Sequence, residues 1–188
     1  ILETLYSKAP VEREHSPSVS VLSELIGAEM RLDKSEISEL KIAGAIHDIG
    51  KIAVSNAILE KKGKLSSSDW IELKKHPEVG YNILSAVNEY STLARIVLAH
   101  HEWYNGSGYP KGLKGDEIPL QSRIIAVAEA YDSMVSGMTF STPKSRQQAV
   151  EELRKNAGTQ FDPAVVSAFI DGVLAEEMFS SRVLSTPD

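Results

Sequence analysis

Cysteine is absent from the 188-residue sequence, and this absence limits the sites that the chain can build. Disulfide bonds are excluded, and a metal site has to be made from imidazole and carboxylate groups because no thiolate is available. The lack of cysteine also suits a protein of the reducing cytoplasm, which is where we expect this chain to be located.

Long apolar runs and clusters of basic residues are missing as well. No stretch approaches the roughly 20 apolar residues that a membrane-spanning helix needs, and no signal-peptide pattern is present, so we expect no membrane contact in this segment. The formal net charge is −6 and the sequence pI is about 5.4, and without a basic patch we expect no polymeric nucleic acid as a partner. An anionic small molecule is still compatible with this balance if a metal ion supplies positive charge.

Apolar residues recur at helical spacing along most of the sequence. The spacing predicts an amphipathic helix over roughly 12–30, a second helix capped by Asp33 or Ser35, and a helix over about 119–134. A cap at Asp162, followed by a first-turn proline, predicts the start of a last helix.

One long stretch, residues 104–119, is irregular because it holds four glycines and two prolines. Hydrophobic residues make up 42% of the chain, enough for one domain with a core. We therefore predict an all-α fold, a single bundle of about seven or eight helices with one irregular loop, over residues 1–176. A flexible tail is expected over 177–188, and because the chain begins at Ile1 we expect it to be a fragment of a longer regulatory protein.

Histidine is the most informative residue type, and the chain has five: His15, His47, His76, His100 and His101. The apolar spacing of residues 93–97 places His100 on the inward face of its helix, with His101 beside it. Two neighbouring imidazoles there need partners, because buried polar groups without partners are costly. A metal ion meets that need, and two core histidines with ordinary hydrogen bonds are the alternative.

The other three histidines are weaker signals when each is taken alone. His47 precedes Asp48 near a helix end, where a buried histidine bonded to a carbonyl oxygen is the ordinary alternative to a ligand. His76 starts a helix, where a histidine is exposed as often as it is functional. His15 lies on the first long helix and, taken alone, is best explained as a surface residue. Together the five histidines lie on helices that could converge in one bundle.

Two carboxylates and one lysine complete the set of candidates. Glu129 and Asp132 lie one turn apart on a mostly apolar helix face, where carboxylates are unusual without a cation. A polar helix edge would also explain Glu129. Lys51 lies four residues after His47, so it faces the same way and could meet a phosphate, although a solvated lysine is the plain alternative.

Five stretches occur in the order and at the spacing of a known family: EHSPSV, AGAIHDIGKIAVSNAILEKKGKL, KKHPEVGYNIL, AHHEWYNGSGYPKGLKGDEIPLQSRIIAVAEAYDSM and GTQFDPAVVSAF. Over roughly 14–172 they resemble the HD-GYP domains, a branch of the HD metal-dependent phosphohydrolases, and the run from His100 to Asp132 is the most specific part. The resemblance implies a helical bundle with two or three metal ions, commonly iron or manganese. It also implies hydrolysis of cyclic di-GMP to pGpG or GMP.

The resemblance divides the metal ligands into two groups that share Asp48. The first group is His15, His47, Asp48 and Glu129. The second group is Asp48, His76, His100 and His101. The implied mechanism is two-metal hydrolysis, in which a bridging water loses its proton and the resulting hydroxide attacks phosphorus in line.

The same resemblance implies the residues that meet the substrate. Lys51 would contact the scissile phosphate and act with Asp48 in catalysis. Gly108, Tyr109 and Pro110 would form the loop beside the substrate, and Asp132 matches a family residue near the guanine. Diguanylate cyclase domains are the protein partners that the resemblance suggests.

Several positions depart from the family pattern. Glu129 stands where aspartate is usual, and Val11 stands where three-metal members carry a glutamate, so we expect two metal ions. Ser18, Met138 and Ser141 stand where basic residues would bind the phosphates. Three hypotheses follow: a cyclic di-GMP phosphodiesterase, a phosphohydrolase for a different nucleotide, or a catalytically weak or inactive signalling module that binds nucleotide or a partner protein.

Overall fold

The computed structural model describes residues 2–61, 63–137 and 142–175. These residues form helices without a strand, and their one β-type pairing is an isolated bridge between Ala157 and Phe161. The all-α prediction is therefore confirmed. Met138, Ser141 and the predicted tail over 177–188 lie outside the described residues.

Ten α-helices follow one another in the described part of the chain. They are α1 (Leu2–Lys8), α2 (Glu12–Glu29), α3 (Lys34–Ile46), α4 (Asn56–Leu59), α5 (Ser67–Leu73), α6 (His76–Ser85), α7 (Ser91–Ala99), α8 (Leu120–Ser136), α9 (Arg146–Lys155) and α10 (Pro163–Ser167). Short 3-10 turns lie at Ile49–Ala53, Asn88–Tyr90 and Gly115–Glu117, and α10 continues into a π-helical segment, Ala168–Leu174. Only α4 and α10 are about one turn long, which leaves eight longer helices.

Local side-chain caps explain where several helices begin. Asp33, not Ser35, caps α3: its carboxylate accepts hydrogen bonds from the backbone N–H groups of Ser35 and Glu36, while Glu36 reaches back to the Asp33 N–H. Asp162 caps α10 by accepting from the Ala164 N–H at 2.8 Å. These bonds satisfy donors that the first helical turn leaves without partners.

The core lies between α2, α3, α7, α8 and the last helical segment. Its fully buried members include Val19, Ile26, Leu40, Val97, Ile125 and Phe169. Helix α2 packs along both α3 and α8, and α6 packs against α7 and against the turn Ile49–Ala53. This arrangement brings one end each of α3, α6 and α7 to one place, beside the start of α2 and the middle of α8. No helix in the described ranges is both long and apolar enough to cross a membrane.

Gly50 allows the closest of these approaches. A Cβ atom at this position would lie 1.9 Å from the His76 carbonyl oxygen and 2.6 Å from the Gly80 nitrogen. The turn after α3 therefore rests directly on the backbone of α6, because glycine has no side chain to hold the two apart. That contact brings Asp48 next to His76.

Candidate metal centre

Three of the five histidines are held in the same way. In each, Nδ1 bonds to the backbone carbonyl oxygen three residues earlier, at 2.8 Å for His47, 2.7 Å for His76 and 2.5 Å for His100. A carbonyl only accepts, so Nδ1 carries the proton and Nε2 is the atom that faces the neighbouring histidines and acids. Metal-binding histidines are commonly fixed by such a bond from the other ring nitrogen.

His15 is oriented by a side chain. Its Nδ1 lies 2.6 Å from Oδ2 of Asp132, and the Ser18 hydroxyl donates to the other carboxylate oxygen, Oδ1. Both oxygens of Asp132 are thus bonded to residues of α2, and His15 Nε2 is turned toward Asp48, 4.0 Å from its Oδ2. A contact of Asp132 with guanine stays a prediction.

The predicted ligands meet in two groups. One is Asp48, His76, His100 and His101, and the other is His15, His47, Asp48 and Glu129, with the ligand atoms of each group within 4.8 Å of one another. Asp48 is common to both and is fully buried. Its Oδ1 lies 3.1 Å from His76 Nε2 and its Oδ2 lies 3.0 Å from His47 Nε2. His15 and His76 are buried as well, so a surface position is excluded for both.

The contacts within these groups suit a cation. His76 Nε2 lies 3.3 Å from His100 Nε2, and with both protons on Nδ1 this brings two lone pairs together. His47 Nε2 and Asp48 Oδ1 are buried and make no hydrogen bond of good geometry within the described residues. Divalent ions bound by imidazole and carboxylate would satisfy all four atoms, so the residues present fit such ions.

The charges of Asp48, His47 and Lys51 shift one another's pKa values. Burial alone would raise the pKa of Asp48, but Lys51 and His47 outweigh it and hold this pKa well below its usual value. Burial would lower the pKa of His47, and Asp48 outweighs that effect and raises it to about 9. In the metal-free protein a second proton on His47 thus faces Asp48, where a bound metal ion would displace it.

His101 and Glu129 close the opposite side of the site. Burial, reinforced by the charges of His100 and His76, holds the pKa of His101 well below its usual value. Burial raises the pKa of Glu129, and its Oε2 lies 3.9 Å from His101 Nδ1. Without a bound cation, the imidazole of His101 is neutral and the carboxyl group of Glu129 is easily protonated. Both features are typical of a metal-binding position that holds no ion.

Lys51 is bound by two buried acids. Its Nζ lies 2.7 Å from Asp48 Oδ2 and 2.8 Å from Glu12 Oε1. Burial would lower the pKa of Lys51, but these two carboxylates outweigh it and raise the pKa, so the side chain is a cation. Sequence analysis assigned no role to Glu12, although it lies three residues before His15 and therefore on the same face of α2.

Glu102 holds the loop that follows the paired histidines. Its carboxylate accepts hydrogen bonds from three consecutive backbone N–H groups, at 2.6 Å from Lys111, 3.1 Å from Gly112 and 3.1 Å from Leu113. The side chain is buried, so the three bonds are shielded from water. Glu102 directly follows the paired histidines in the sequence, but no sequence pattern indicated this role in the loop.

The predicted Gly108–Pro110 loop lies against the second ligand group. A Cβ atom on Gly108 would lie 2.1 Å from the Trp103 nitrogen, so only glycine fits there. The following Tyr109 ring stacks on His101 at 4.9 Å between centroids, and the Tyr109–Pro110 peptide bond is cis. Burial raises the pKa of Tyr109, which keeps its hydroxyl protonated and able to donate.

Two of the cavities that open at this centre share His101, Glu129 and Ser133. The first cavity is lined by Trp70 and is called the Trp70 cavity; its volume is about 280 Å³. The second cavity is lined by Trp103 and is called the Trp103 cavity; its volume is about 220 Å³. Lys51 and Tyr109 also line the Trp70 cavity. The candidate ligands are therefore reachable from solvent, as a site for a substrate requires.

Comparison with known proteins agrees with this geometry. The family model described as an HD domain matches residues 2–165. The chain belongs to the HD domain family. Its resemblance to the HD-GYP branch is confirmed by relatives named as cyclic di-GMP phosphodiesterases, which are 39% and 37% identical to it.

Two curated relatives illustrate the range of names within the family. A "Cyclic di-GMP phosphodiesterase" of Thermotoga maritima is 39% identical over 158 residues, which is 83% of this chain and 43% of the relative. A "3'3'-cGAMP-specific phosphodiesterase 3" of Vibrio cholerae is 36% identical over 162 residues, 86% of this chain and 35% of the relative. The chain thus spans less than half the length of either protein.

Solved structures agree on the fold. A cyclic GMP-AMP-specific phosphodiesterase of V. cholerae matches with a TM-score of 0.69 at 20% identity, over 93% of this chain and 49% of that one. The HD domain of an L. monocytogenes phosphodiesterase, solved in complex with cyclic-di-AMP, matches with a TM-score of 0.63 at 19% identity, over 92% of this chain and 94% of that one. At these identities the likeness concerns the HD fold alone.

Proposed function

We propose that this HD domain is a metal-dependent phosphodiesterase that hydrolyses cyclic di-GMP, to pGpG or GMP. The observation that carries the proposal is the pair of ligand groups joined by the fully buried Asp48. One buried carboxylate with imidazoles on both sides suits two divalent ions close together, which is the arrangement that phosphodiester hydrolysis uses. The relatives named for this reaction support the same substrate class.

In this proposal the residues keep the roles that the resemblance implies. His15, His47, Asp48 and Glu129 hold one ion, and Asp48, His76, His100 and His101 hold the other. Divalent ions at such a site lower the pKa of water and neutralise charge on the phosphoryl oxygens. Iron and manganese are the proposed metals, and two is the proposed number.

The side chains of the domain supply orientation and charge. Lys51 is fixed against Asp48 and carries a positive charge toward which phosphoryl oxygens can be drawn. Tyr109 lines the same cavity as a neutral hydroxyl that can donate a hydrogen bond to the substrate. Gly108 and Pro110 keep that loop against His101, so the substrate enters beside the second ligand group.

A second candidate substrate has support of its own. Two of the relatives are named as 3'3'-cGAMP-specific phosphodiesterases, and Ser18 of this chain stands where a basic residue was expected. A phosphohydrolase for a different nucleotide, or a weakly active module that binds nucleotide or a diguanylate cyclase domain, is the alternative proposal. A cytoplasmic location is part of either proposal.

One experiment separates these proposals. The protein is purified without oxygen, its bound metal is counted, and it is incubated with cyclic di-GMP, 3'3'-cGAMP and pGpG. We expect about two metals per chain and hydrolysis of cyclic di-GMP. Full metal content with hydrolysis only of another nucleotide supports the second candidate, and bound metal without any hydrolysis supports the signalling module.

The shared ligand provides the matched control. Asp48→Asn should remove metal from both groups and abolish hydrolysis, because this carboxylate belongs to both. Asp116→Asn changes an exposed aspartate paired with Arg123 and should leave both properties intact. If Asp48→Asn retains its metal and its activity, the proposed centre is wrong. Introducing arginine at 138 and 141 then tests whether missing basic residues limit activity.

A further inference from the structure

Part of the lining of the Trp70 cavity belongs to neither of the two ligand groups. Its charged and ionisable lining residues are Glu12, Lys51, His76, His101 and Glu129. The rest of the lining is mostly apolar and includes Val11, Ile58, Leu59, Trp70 and Leu73. A cavity lined by both charged and apolar side chains suits a ligand that itself has a charged part and an apolar part.

Trp70 is the largest apolar side chain in that part of the lining. It lies in α5, which a capping box between Ser66 and Asp69 fixes at its first turn. Trp70 is 45% exposed, and Val11 on the same cavity is 38% exposed, although both are large apolar residues. Exposed apolar surface that lines a concave site beside charged groups is typical of a binding surface.

We propose that the Trp70 cavity binds one nucleobase of the substrate. The base stacks on Trp70, and the attached phosphate lies beside Lys51. This inference rests on the proposed function and adds the subsite that recognises the base. Its volume of about 280 Å³ is enough for one planar base.

The positions of Lys51 and Lys74 agree with this orientation of the ligand. Lys74, one turn after Trp70 in the chain, has its Nζ 5.1 Å from the centre of the Tyr109 ring, and Tyr109 lines the same cavity. Lys51 lines the cavity as well, together with the acids Glu12 and Glu129. A lysine and an indole in one lining match an anionic phosphate joined to an aromatic base, because every base offers a π-face for stacking.

Binding of GMP to the metal-loaded protein tests the subsite without requiring hydrolysis. Trp70→Ala should weaken GMP binding by about 10-fold or more, as expected for the loss of one base–aromatic stack, and should leave binding of inorganic phosphate within about 2-fold. Trp70→Phe should restore most of the GMP affinity, because phenylalanine keeps an aromatic face. Ile71→Ala is the matched control, since Ile71 is 65% exposed on the same helix and does not line the cavity.

Fluorescence provides a direct readout of the contact. The chain has two tryptophans, so Trp103→Phe leaves Trp70 as the single indole reporter. GMP should quench its emission, and inorganic phosphate should not. Equal loss of GMP and phosphate affinity in Trp70→Ala, or GMP binding that leaves Trp70 emission unchanged, would overturn the inference.

The outcome is separable from that of the proposed function. If the domain hydrolyses cyclic di-GMP and Trp70→Ala has an unchanged KM, the base subsite is wrong and the function stands. If GMP quenches Trp70 and the domain hydrolyses no cyclic dinucleotide, the subsite stands and the proposed reaction is wrong. A KM that rises by about 10-fold or more in Trp70→Ala with nearly unchanged kcat supports both.

Discussion

Asp132 Oδ2 lies 2.6 Å from His15 Nδ1, and this bond links the second half of α8 to the start of α2. The carboxylate fixes which ring nitrogen carries the proton and turns His15 Nε2 toward Asp48. Because Ser18 donates to the other oxygen of Asp132, the carboxylate itself is held in place. The three residues form a support for one of the two ligand groups.

Replacing this support should weaken one group selectively. Asp132→Ala is expected to reduce metal affinity at the group that contains His15 by about 10- to 100-fold, the usual effect of losing a partner that orients a metal-binding histidine. Metal affinity at the His76 and His100 group should change little. Titration with manganese, followed by calorimetry and by metal analysis after dialysis, separates the two sites.

Two further variants sharpen this test. Asp132→Asn keeps an oxygen that accepts from His15 Nδ1, so it should recover part of the affinity. Ser18→Ala removes one hydrogen bond to Asp132 and should have a smaller effect than Asp132→Ala. Equal weakening of both metal sites in Asp132→Ala would mean that the bond supports the fold as a whole and not His15 in particular.

The sequence indicated which candidate ligands lie together better than it indicated the bonds that orient them. Helical spacing already placed His100 on an inward face, and the five histidines were recognisable as one set because few other residues could serve as ligands. The bonds that orient them join distant parts of the chain: His15 and Asp132 are 117 residues apart, and Lys51 and Glu12 are 39 apart. Spacing rules describe neighbours on one helix, so such pairs become visible only when the bundle is assembled.

Gly50 provides a prediction about how the centre is assembled. In Gly50→Ala the new Cβ would meet the His76 carbonyl at 1.9 Å, and backbone atoms cannot move aside as a flexible side chain can. We expect the turn to separate from α6, with a loss of stability of roughly 1–3 kcal/mol from overpacking and lower metal content at both groups. Denaturant unfolding and metal analysis measure these two effects.

The control for Gly50→Ala is Gly115→Ala. A Cβ at Gly115 meets no atom within 4 Å, and its φ of +56° makes the substitution cost only about 1–2 kcal/mol of backbone strain. Metal content should therefore stay at the wild-type level in Gly115→Ala. Wild-type metal content in Gly50→Ala would show that the close backbone contact is not needed to bring Asp48 and His76 together.

Glu102 should govern the order of the loop and not the binding of metal. Glu102→Ala removes the acceptor of three backbone N–H groups, each bond to a charged group being worth about 1.5–3 kcal/mol. We expect faster hydrogen exchange at residues 111–113 and a higher KM, with unchanged metal content. Glu117→Gln is the control, because Glu117 is exposed and accepts from a single backbone N–H, that of Lys114. Loss of metal in Glu102→Ala would contradict the separation of loop and centre.

The pH dependence of stability should differ between the metal-free and the metal-loaded protein. The pKa of His47 is raised from 6.5 to about 9, so the folded state binds one more proton than the unfolded state between these values. That stabilisation, on the order of 3 kcal/mol, is complete below pH 6.5 and is lost as the pH rises through 9. The raised pKa of Glu129 acts in the same direction. Unfolding by denaturant from pH 6.5 to 9 in the presence of a chelator should therefore show falling stability.

A bound metal should reverse that slope, because it binds the unprotonated Nε2 of His47 and displaces the proton that faces Asp48. The metal-loaded protein is then expected to hold its stability, or to gain some, as the pH rises from 6.5 toward 9. His47→Gln removes the titrating ring and should flatten the metal-free profile over this range. A metal-free protein whose stability rises between pH 7 and 9 would show that the His47 proton is not paired with Asp48, and that the charge at the centre of the site is balanced in another way.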